Sequence, residues 1–358
     1  MTLLLSNEDA EDLLTMPDCI DALEQAYREI AAKRAIMGAR GEIVTQTAQA
    51  DAVYQLKTMS ATIAGIGMGS VRINSDILSW PVVDGTRRRR KLPMAPGKRW
   101  TGLVILFSTE TGEPLAIFPD GVVQRMRVAG ASGLGVKYLA RRNAETVALL
   151  GSGWQAGSQA MAVAAVRDIK TIRCFSPNAA HRDAFCRDMT SRLGIETVPA
   201  DSAALAARGA DIVLCATNSM DHVFFRDSLE PGMHVSTIRD GDLDPAIIKS
   251  SDIVVMHDPA SVDTGHYLTT HGLHIPDQDK DAASASDMAF LADVPVLPDL
   301  IAGTAAGRER ADQITCFLNF RGLAVQFTAV GAALYAKARD AGRGRDLPSE
   351  WFTEDVHP

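Results

Sequence analysis

Four apolar residues, Val147-Ala148-Leu149-Leu150, run directly into Gly151-Ser152-Gly153-Trp154-Gln155-Ala156. This is how a buried parallel strand passes through a tight turn into a helix that can hold a pyrophosphate. Gly151 permits the turn, Gly153 removes the Cβ that would keep the backbone away from phosphates, and Ala156 keeps helix and strand close. The helix N-terminus then offers free N–H groups and a positive dipole end to the anion. A glycine-rich turn with no ligand can share this hexapeptide, so the weight falls on the residues downstream. Gly157 to Arg167 is small, Ala-rich and helical in pattern, and Thr171-Ile172-Arg173-Cys174-Phe175 reads as a second strand. Together these make a complete βαβ unit and point to a nicotinamide-dinucleotide site.

An NAD enzyme places a carboxylate just after the second strand, to take the ribose 2′-OH. Here the residue is Ser176, and with Asn178 and Arg182 it could accept a 2′-phosphate instead. The cofactor is therefore NAD or NADP, with the balance toward NADP, although His181 and Arg182 read equally as solvated residues at a helix start. A later strand from Ala210 runs into Ala216-Thr217-Asn218, small polar residues placed where such folds line the cofactor cleft. His257, His266, His271 and His274 crowd one loop region, but their spacings form no ligand set and no CxxC exists, so no metal is expected. Surface or lid histidines are the simpler reading, with one pocket histidine as general acid still open. Arg87-Arg88-Arg89-Arg90-Lys91 could meet phosphate, nucleic acid or an acidic substrate tail, but a run this short in an acidic protein reads first as a solvated or subunit-contact loop.

These residues need elements to position them. At 358 residues, 46% hydrophobic and 22% charged, the chain suits two ordinary globular domains. A net charge of −8 spread along the chain argues against a nucleic-acid surface. Five scattered cysteines suit a reduced, cytoplasmic protein, and neither a signal peptide nor a membrane-spanning stretch is expected. Ser6 with Asp9 suits a first helix N-cap, and Pro17 the first turn of a second helix striped by Ile20, Leu23, Ala26, Tyr27 and Ile30. Extended segments follow at 42–47, 52–60, 69–77, 100–107 and 113–118, then a linking helix at about 122–141. Strands at 234–238 and 252–256 extend the later β/α pattern, and 312–341 reads as helical, returning to the front half.

Several ordered motifs then carry a resemblance. Thr111-Gly112-Glu113-Pro114-Leu115-Ala116 leads to Asp120-Gly121, Arg127-Val128-Ala129-Gly130-Ala131-Ser132 and Lys137-Tyr138-Leu139-Ala140. With the glycine turn and the tail segments 312–317 and 322–326, this resembles the ornithine cyclodeaminase/mu-crystallin family. The resemblance implies an α/β fold, a Rossmann-type doubly wound parallel sheet inserted in a second α+β domain. The substrate and dimerisation domain would be 1–125 plus 312–358, and the NAD(P)-binding domain 126–311. It further implies a homodimer, while the spread of charge and the lack of a long apolar stretch lead to the expectation of neither a nucleic-acid nor a membrane partner. The chemistry implied is NAD(P)-dependent work on the C–N bond of a small amino or imino acid, or on a 2-oxo acid: imine or ketimine reduction, or amino-acid dehydrogenation. The alternatives are ornithine-type cyclodeamination and a non-catalytic, crystallin-like binder of NAD(P) and small ligands.

Hydride transfer to such an imine needs a carboxylate anchor and a proton donor near nitrogen. Arg127 stands at the family's Arg-Thr-Ala-Ala arginine, and its fork suits a carboxylate. Arg40 matches an earlier carboxylate-binding arginine. Where the family usually has a lysine in Gly-x-Lys-x-Val, this chain reads Gly69-Ser70-Val71-Arg72-Ile73, and Arg72 can grip an anion but cannot give up a proton. Lys57, two positions from Gln55 on one side of a strand, is the lysine in reach. After the strand at 234–238 the family's aspartate position falls to Asp240, in a shortened loop that argues against ornithine as substrate. Phe327, where the family often has Asp, implies a more apolar pocket or an altered cofactor contact.

Overall fold

A computed structural model describes residues 1–83, 85–239, 241–258, 267–270, 272–278, 291 and 293–356. Seven parallel strands form one sheet in the order Glu196–Pro199, Thr171–Phe175, Thr146–Leu150, Ile212–Cys215, His234–Thr237, Thr315–Leu318 and Ile253–Met256. The chain reverses its direction of travel across the sheet between Thr146–Leu150 and Ile212–Cys215, and a doubly wound sheet binds its ligand outside the carboxyl ends of the strands at such a point. The strands are apolar on both faces, as a sheet covered on both sides requires.

The front half is a ten-stranded, mostly antiparallel sheet. Its centre is the long pair Ala52–Ile63 and Met68–Ser79, flanked by Gly41–Gln46 on one side and by Thr101–Ser108 and Pro114–Pro119 on the other. Alternation in the long pair sends Gln55, Lys57 and Met59, together with Arg72, Asn74 and Asp76, to one face, because cross-strand partners share a side. Helices Met16–Ala31, Asp120–Leu139 and Ala324–Asp340 join the front sheet in one core built around Leu23, Leu106, Phe118, Met126 and Val330. The capping box predicted at Ser6 and Asp9 is present, and Pro17 lies in the first turn of its helix.

Two strands cross the boundaries the sequence suggests. Thr315–Leu318, placed by the pattern in a helical tail, is a strand of the parallel sheet, and the closing helix is confined to Ala324–Asp340. A short unbroken apolar run cannot be told from a buried helix by periodicity, and all four of these residues are buried. Tyr267–Thr269, from the middle of the chain, joins the front sheet beside Gly41–Gln46.

The helix Asp120–Leu139 ties the halves together. Its first residue receives Arg72 from the front sheet, Gly133 packs against Ala162 of the helix Trp154–Val166, and Gly135 lies against the Phe317 ring in the parallel sheet. A Cβ at residue 135 would overlap that fully buried ring. Gly135→Ala is therefore expected to destabilise: overpacking costs about 1–3 kcal/mol, offset by about 1 kcal/mol of helix propensity. A lowered urea midpoint at unchanged slope would report this, whereas a raised midpoint would show that the ring moves aside.

Among the described residues, no helix is long and apolar enough to cross a membrane.

Candidate active site

The glycine turn sits at the switch point. Gly151 has φ +116°, which disfavours any side chain, and a Cβ there would overlap the carbonyl of Ala216 at the end of the neighbouring strand. Gly153 occupies the N-cap of the helix Trp154–Val166 and supplies no side-chain cap, while a Cβ built on it meets nothing within 4 Å. The open space and uncapped first-turn N–H groups fit a dinucleotide pyrophosphate. Ser152 is fixed by a 2.9 Å hydrogen bond between its hydroxyl and Nδ1 of His181, and Ala156 is fully buried against the sheet. Trp154 is exposed on its helix, with the Arg125 guanidinium 4.1 Å from its ring centroid, and Gln155 follows half-buried.

The residues expected to read the ribose are partly committed. Ser176 is half-buried just after the second strand. Asn178 caps the next helix, its side chain accepting from the His181 N–H at 2.9 Å. Arg182 donates to the Ala200 carbonyl at 2.9 Å and to Asp183 at 3.0 Å. On the other side of the cleft the Thr217 hydroxyl donates to Asp242 at 2.8 Å, which holds the segment Ala216-Thr217-Asn218 in place.

The second half of the site is a cation-lined face. Arg72 donates from Nε and Nη2 to one oxygen of Asp120, at 2.9 and 2.7 Å, and Asn74 donates to the same oxygen. Arg127, 4 % exposed, donates to the side-chain carbonyls of Gln326 at 2.6 Å and Gln124 at 2.7 Å. Gln326 in turn donates to the Tyr27 hydroxyl at 2.8 Å. The ring of Phe327 lies beneath both guanidiniums, 4.7 Å from Arg72 and 4.8 Å from Arg127, which makes this floor of the pocket apolar. Among the described residues no carboxylate pairs with Arg127. Burial first, and then the neighbouring Arg72, lower Arg127 to about 9. A guanidinium keeps its proton in proteins, so this strain is relieved by an anion rather than by deprotonation.

Lys57 and Arg40 both pair with the buried Glu42, Lys57 at 3.1 Å, while Gln55 donates to the other Glu42 oxygen at 2.7 Å. Burial, and then Arg40, hold the Lys57 ammonium well below its ordinary 10.5, with Glu42 opposing them. Burial works against Glu42, but Lys57 and Arg40 keep its carboxyl below the usual range. A lysine so placed gives up its proton more readily than a free one and can regain it, which Arg72 cannot.

Arg40, Lys57, Arg72 and Arg127 are thus brought together. The face also uses Glu42, Asn74, Asp76, Asp120 and Gln326, which the sequence reading did not assign. For Glu42, Asn74 and Asp76 the signal was polar residues at alternate positions of half-buried strands, whereas Asp120 and Gln326 lie on helices, where no such alternation marks them. Gly322 lies beside Arg127, where any Cβ would overlap the guanidinium. That places Arg127 against the segment following Thr315–Leu318, at the carboxyl edge of the parallel sheet.

Asp240, His266 and His271 lie outside the described residues. His257 is not a surface histidine: it is fully buried at the end of Ile253–Met256, and burial, then Arg127, depress it to about 3, so it stays neutral. His274 is exposed. Among the described residues no group of side chains could hold a metal ion. The arginine run is solvated only in part: Arg87 and Arg90 are exposed. Arg89 and Lys91 are held inward by Asp277 and Asp76, because the residues at 90–92 add a strand to the edge of Met68–Ser79.

A parallel sheet with a glycine turn at its switch point, joined to a second sheet whose face carries buried arginine and lysine, defines a dinucleotide-binding fold. The profile of the ornithine cyclodeaminase/mu-crystallin family matches residues 1–342, and the chain belongs to that family. It is 29% identical over 356 residues to the Delta(1)-pyrroline-2-carboxylate reductase of Bacillus thuringiensis, covering 96% of this chain and 99% of that one. It is 28% identical over 355 residues to the alanine dehydrogenase of Archaeoglobus fulgidus, covering 97% and 98%. Among solved structures, an archaeal alanine dehydrogenase dimer with bound NAD superposes with a TM-score of 0.75 at 25% identity, over 97% of this chain and 99% of that one. The Thermococcus litoralis Delta(1)-pyrroline-2-carboxylate reductase, in complex with NADH and L-proline, shares the fold with a TM-score of 0.76 at 24% identity, over 97% and 100%.

Proposed function

We propose that this protein is an NAD(P)-dependent oxidoreductase that reduces the C=N bond of a small 2-imino acid, or in reverse oxidises the amino acid. The observation that carries this is Arg127: a buried guanidinium whose hydrogen-bond partners among the described residues are neutral, set at the carboxyl edge of the parallel sheet. It takes the α-carboxylate through its fork. A nicotinamide, when bound, supplies or accepts the hydride. Lys57, with its ammonium destabilised by burial and by Arg40, delivers the proton to nitrogen in reduction and removes it in oxidation. Phe327 excludes water beneath the reacting carbon.

The lack of a carboxylate at Ser176 supports acceptance of the 2′-phosphate of NADPH, which Ser176, Asn178 and Arg182 would hold. Apolar side chains exposed on the front sheet, Ile36, Ile43 and Leu268, support a homodimer, the assembly of the archaeal alanine dehydrogenase.

The test follows NADH and NADPH oxidation by the purified protein with cyclic 2-imino acids and with 2-oxo acids plus ammonia. Turnover that depends on the imine is expected. Release of ammonia from ornithine with no reduction of any imine would replace this reading by cyclodeamination. Tight ligand binding without turnover would replace it by a binding role.

A further inference from the structure

Resting on that reading, we infer that the substrate is a dicarboxylic 2-imino acid, whose second acid group is held by Arg89 and Lys91. The strand Arg90–Leu92 pairs with the outer end of Met68–Ser79, placing Lys91 opposite Leu78 and so on the same face as Arg72, Asn74 and Asp76. Lys91 Nζ lies 2.6 Å from Asp76. Arg89, two residues earlier, donates to Asp277 at 2.7 Å and reaches the Gln55 carbonyl at 3.4 Å. Gln55 bonds Glu42, the partner of Lys57, so two side chains, Gln55 and Glu42, link Arg89 to the proposed proton donor. Arg88 bridges through its backbone to Ser219, directly after Ala216-Thr217-Asn218, and this ties the basic run across the cofactor cleft.

The charge balance has a direction. Around this face the six cations Arg40, Lys57, Arg72, Arg89, Lys91 and Arg127 meet the four carboxylates Glu42, Asp76, Asp120 and Asp277. Each carboxylate is already engaged, Glu42 is shared by two cations, and Arg127 has none among the described residues. Depth separates the cations as well. Arg127 is sealed in the pocket, whereas the side chains of Arg89 and Lys91 are 25 % and 38 % exposed at its rim, where a substrate can reach them. A monocarboxylate answers the deep cation only. A second carboxylate on the side chain brings the face as a whole to balance, sharing Arg89 and Lys91 with Asp277 and Asp76, whereas a cationic side chain such as that of ornithine adds to the surplus.

The experiment compares length-matched 2-oxo acids in the presence of ammonia with the full-length protein and reduced cofactor: oxaloacetate against 2-oxobutyrate, and 2-oxoglutarate against 2-oxopentanoate. Rates are counted above ammonia-free controls. The dicarboxylate of at least one pair is expected to show kcat/KM higher by on the order of 100-fold, the scale of two charge-assisted contacts. In Arg89→Gln/Lys91→Met that ratio is expected to collapse toward unity. Succinate should also compete with the imine more tightly than butyrate does in the unmodified protein, a readout independent of how the variant folds. Equal or better use of the monocarboxylates, or a ratio that survives the double substitution, overturns the inference and leaves the imine reductase reading intact. No ammonia-dependent reduction of either class, and none of cyclic imines, overturns that reading and this one with it.

Discussion

Lys57→Met is expected to lower kcat for imine reduction by about 100- to 10,000-fold, the usual contribution of a positioned acid or base. Nitrogen must gain a proton as carbon gains hydride, and Lys57 is the buried cation on the pocket face that can release one. The pH dependence carries the sign. Burial and Arg40 place its pKa below 10.5, so as pH rises through that value the protonated acid is lost and reduction slows. Oxidation of the amino acid needs the neutral amine and rises over the same interval. In Lys57→Met both limbs should flatten. An unchanged kcat, or a pH profile in the variant that matches the parent, would remove Lys57 from the reaction. Binding of reduced cofactor, followed by fluorescence, should stay within a few-fold of the parent, which separates lost chemistry from lost folding.

Arg127→Lys is expected to reduce kcat/KM by about 100- to 1,000-fold, since breaking a buried, hydrogen-bonded charge pair costs about 2–5 kcal/mol. The charge survives the change, but the fork does not. A lysine also cannot hold Gln326 and Gln124 together or lie flat on Phe327. Most of the loss should fall in KM, because the α-carboxylate is gripped before as well as during the reaction. A KM unaffected by the change would show that the carboxylate binds elsewhere, with Arg40 and Arg72 the next groups to test.

The dinucleotide half was the more legible part. Its determinants are local: a four-residue apolar strand, two glycines with a backbone reason to be there, and an alanine at the helix–strand contact. The turn, its helix and the strand Thr171–Phe175 all stand where the pattern put them. The pocket was read less well because its pairings are not local. Asp120 reaches Arg72 over 48 residues, Gln326 reaches Arg127 over 199, and nothing in one chain's spacing announces such pairs. The individual cations could be named, and Lys57 and Arg72 both prove to lie on the same face. Their counter-ions, and the inward turn of the arginine run, depend on strand register, which only the folded sheet supplies. His257 failed as a surface histidine for a related reason, since a residue just past a buried strand is covered by whatever the rest of the chain lays over it.

The helix that begins at Asp120 acts as a ruler between the two halves of the reaction. From Asp120 to Gly135 it spans about 22 Å at 1.5 Å per residue, and one residue more or fewer would turn everything beyond it by about 100°. Arg125 and Arg127, one stacked on the glycine-turn tryptophan and the other at the carboxylate clamp, would be thrown out of line together. Preference for one acid over another can therefore be rewritten on the strands, one side chain at a time, while the length of this rod has no such latitude.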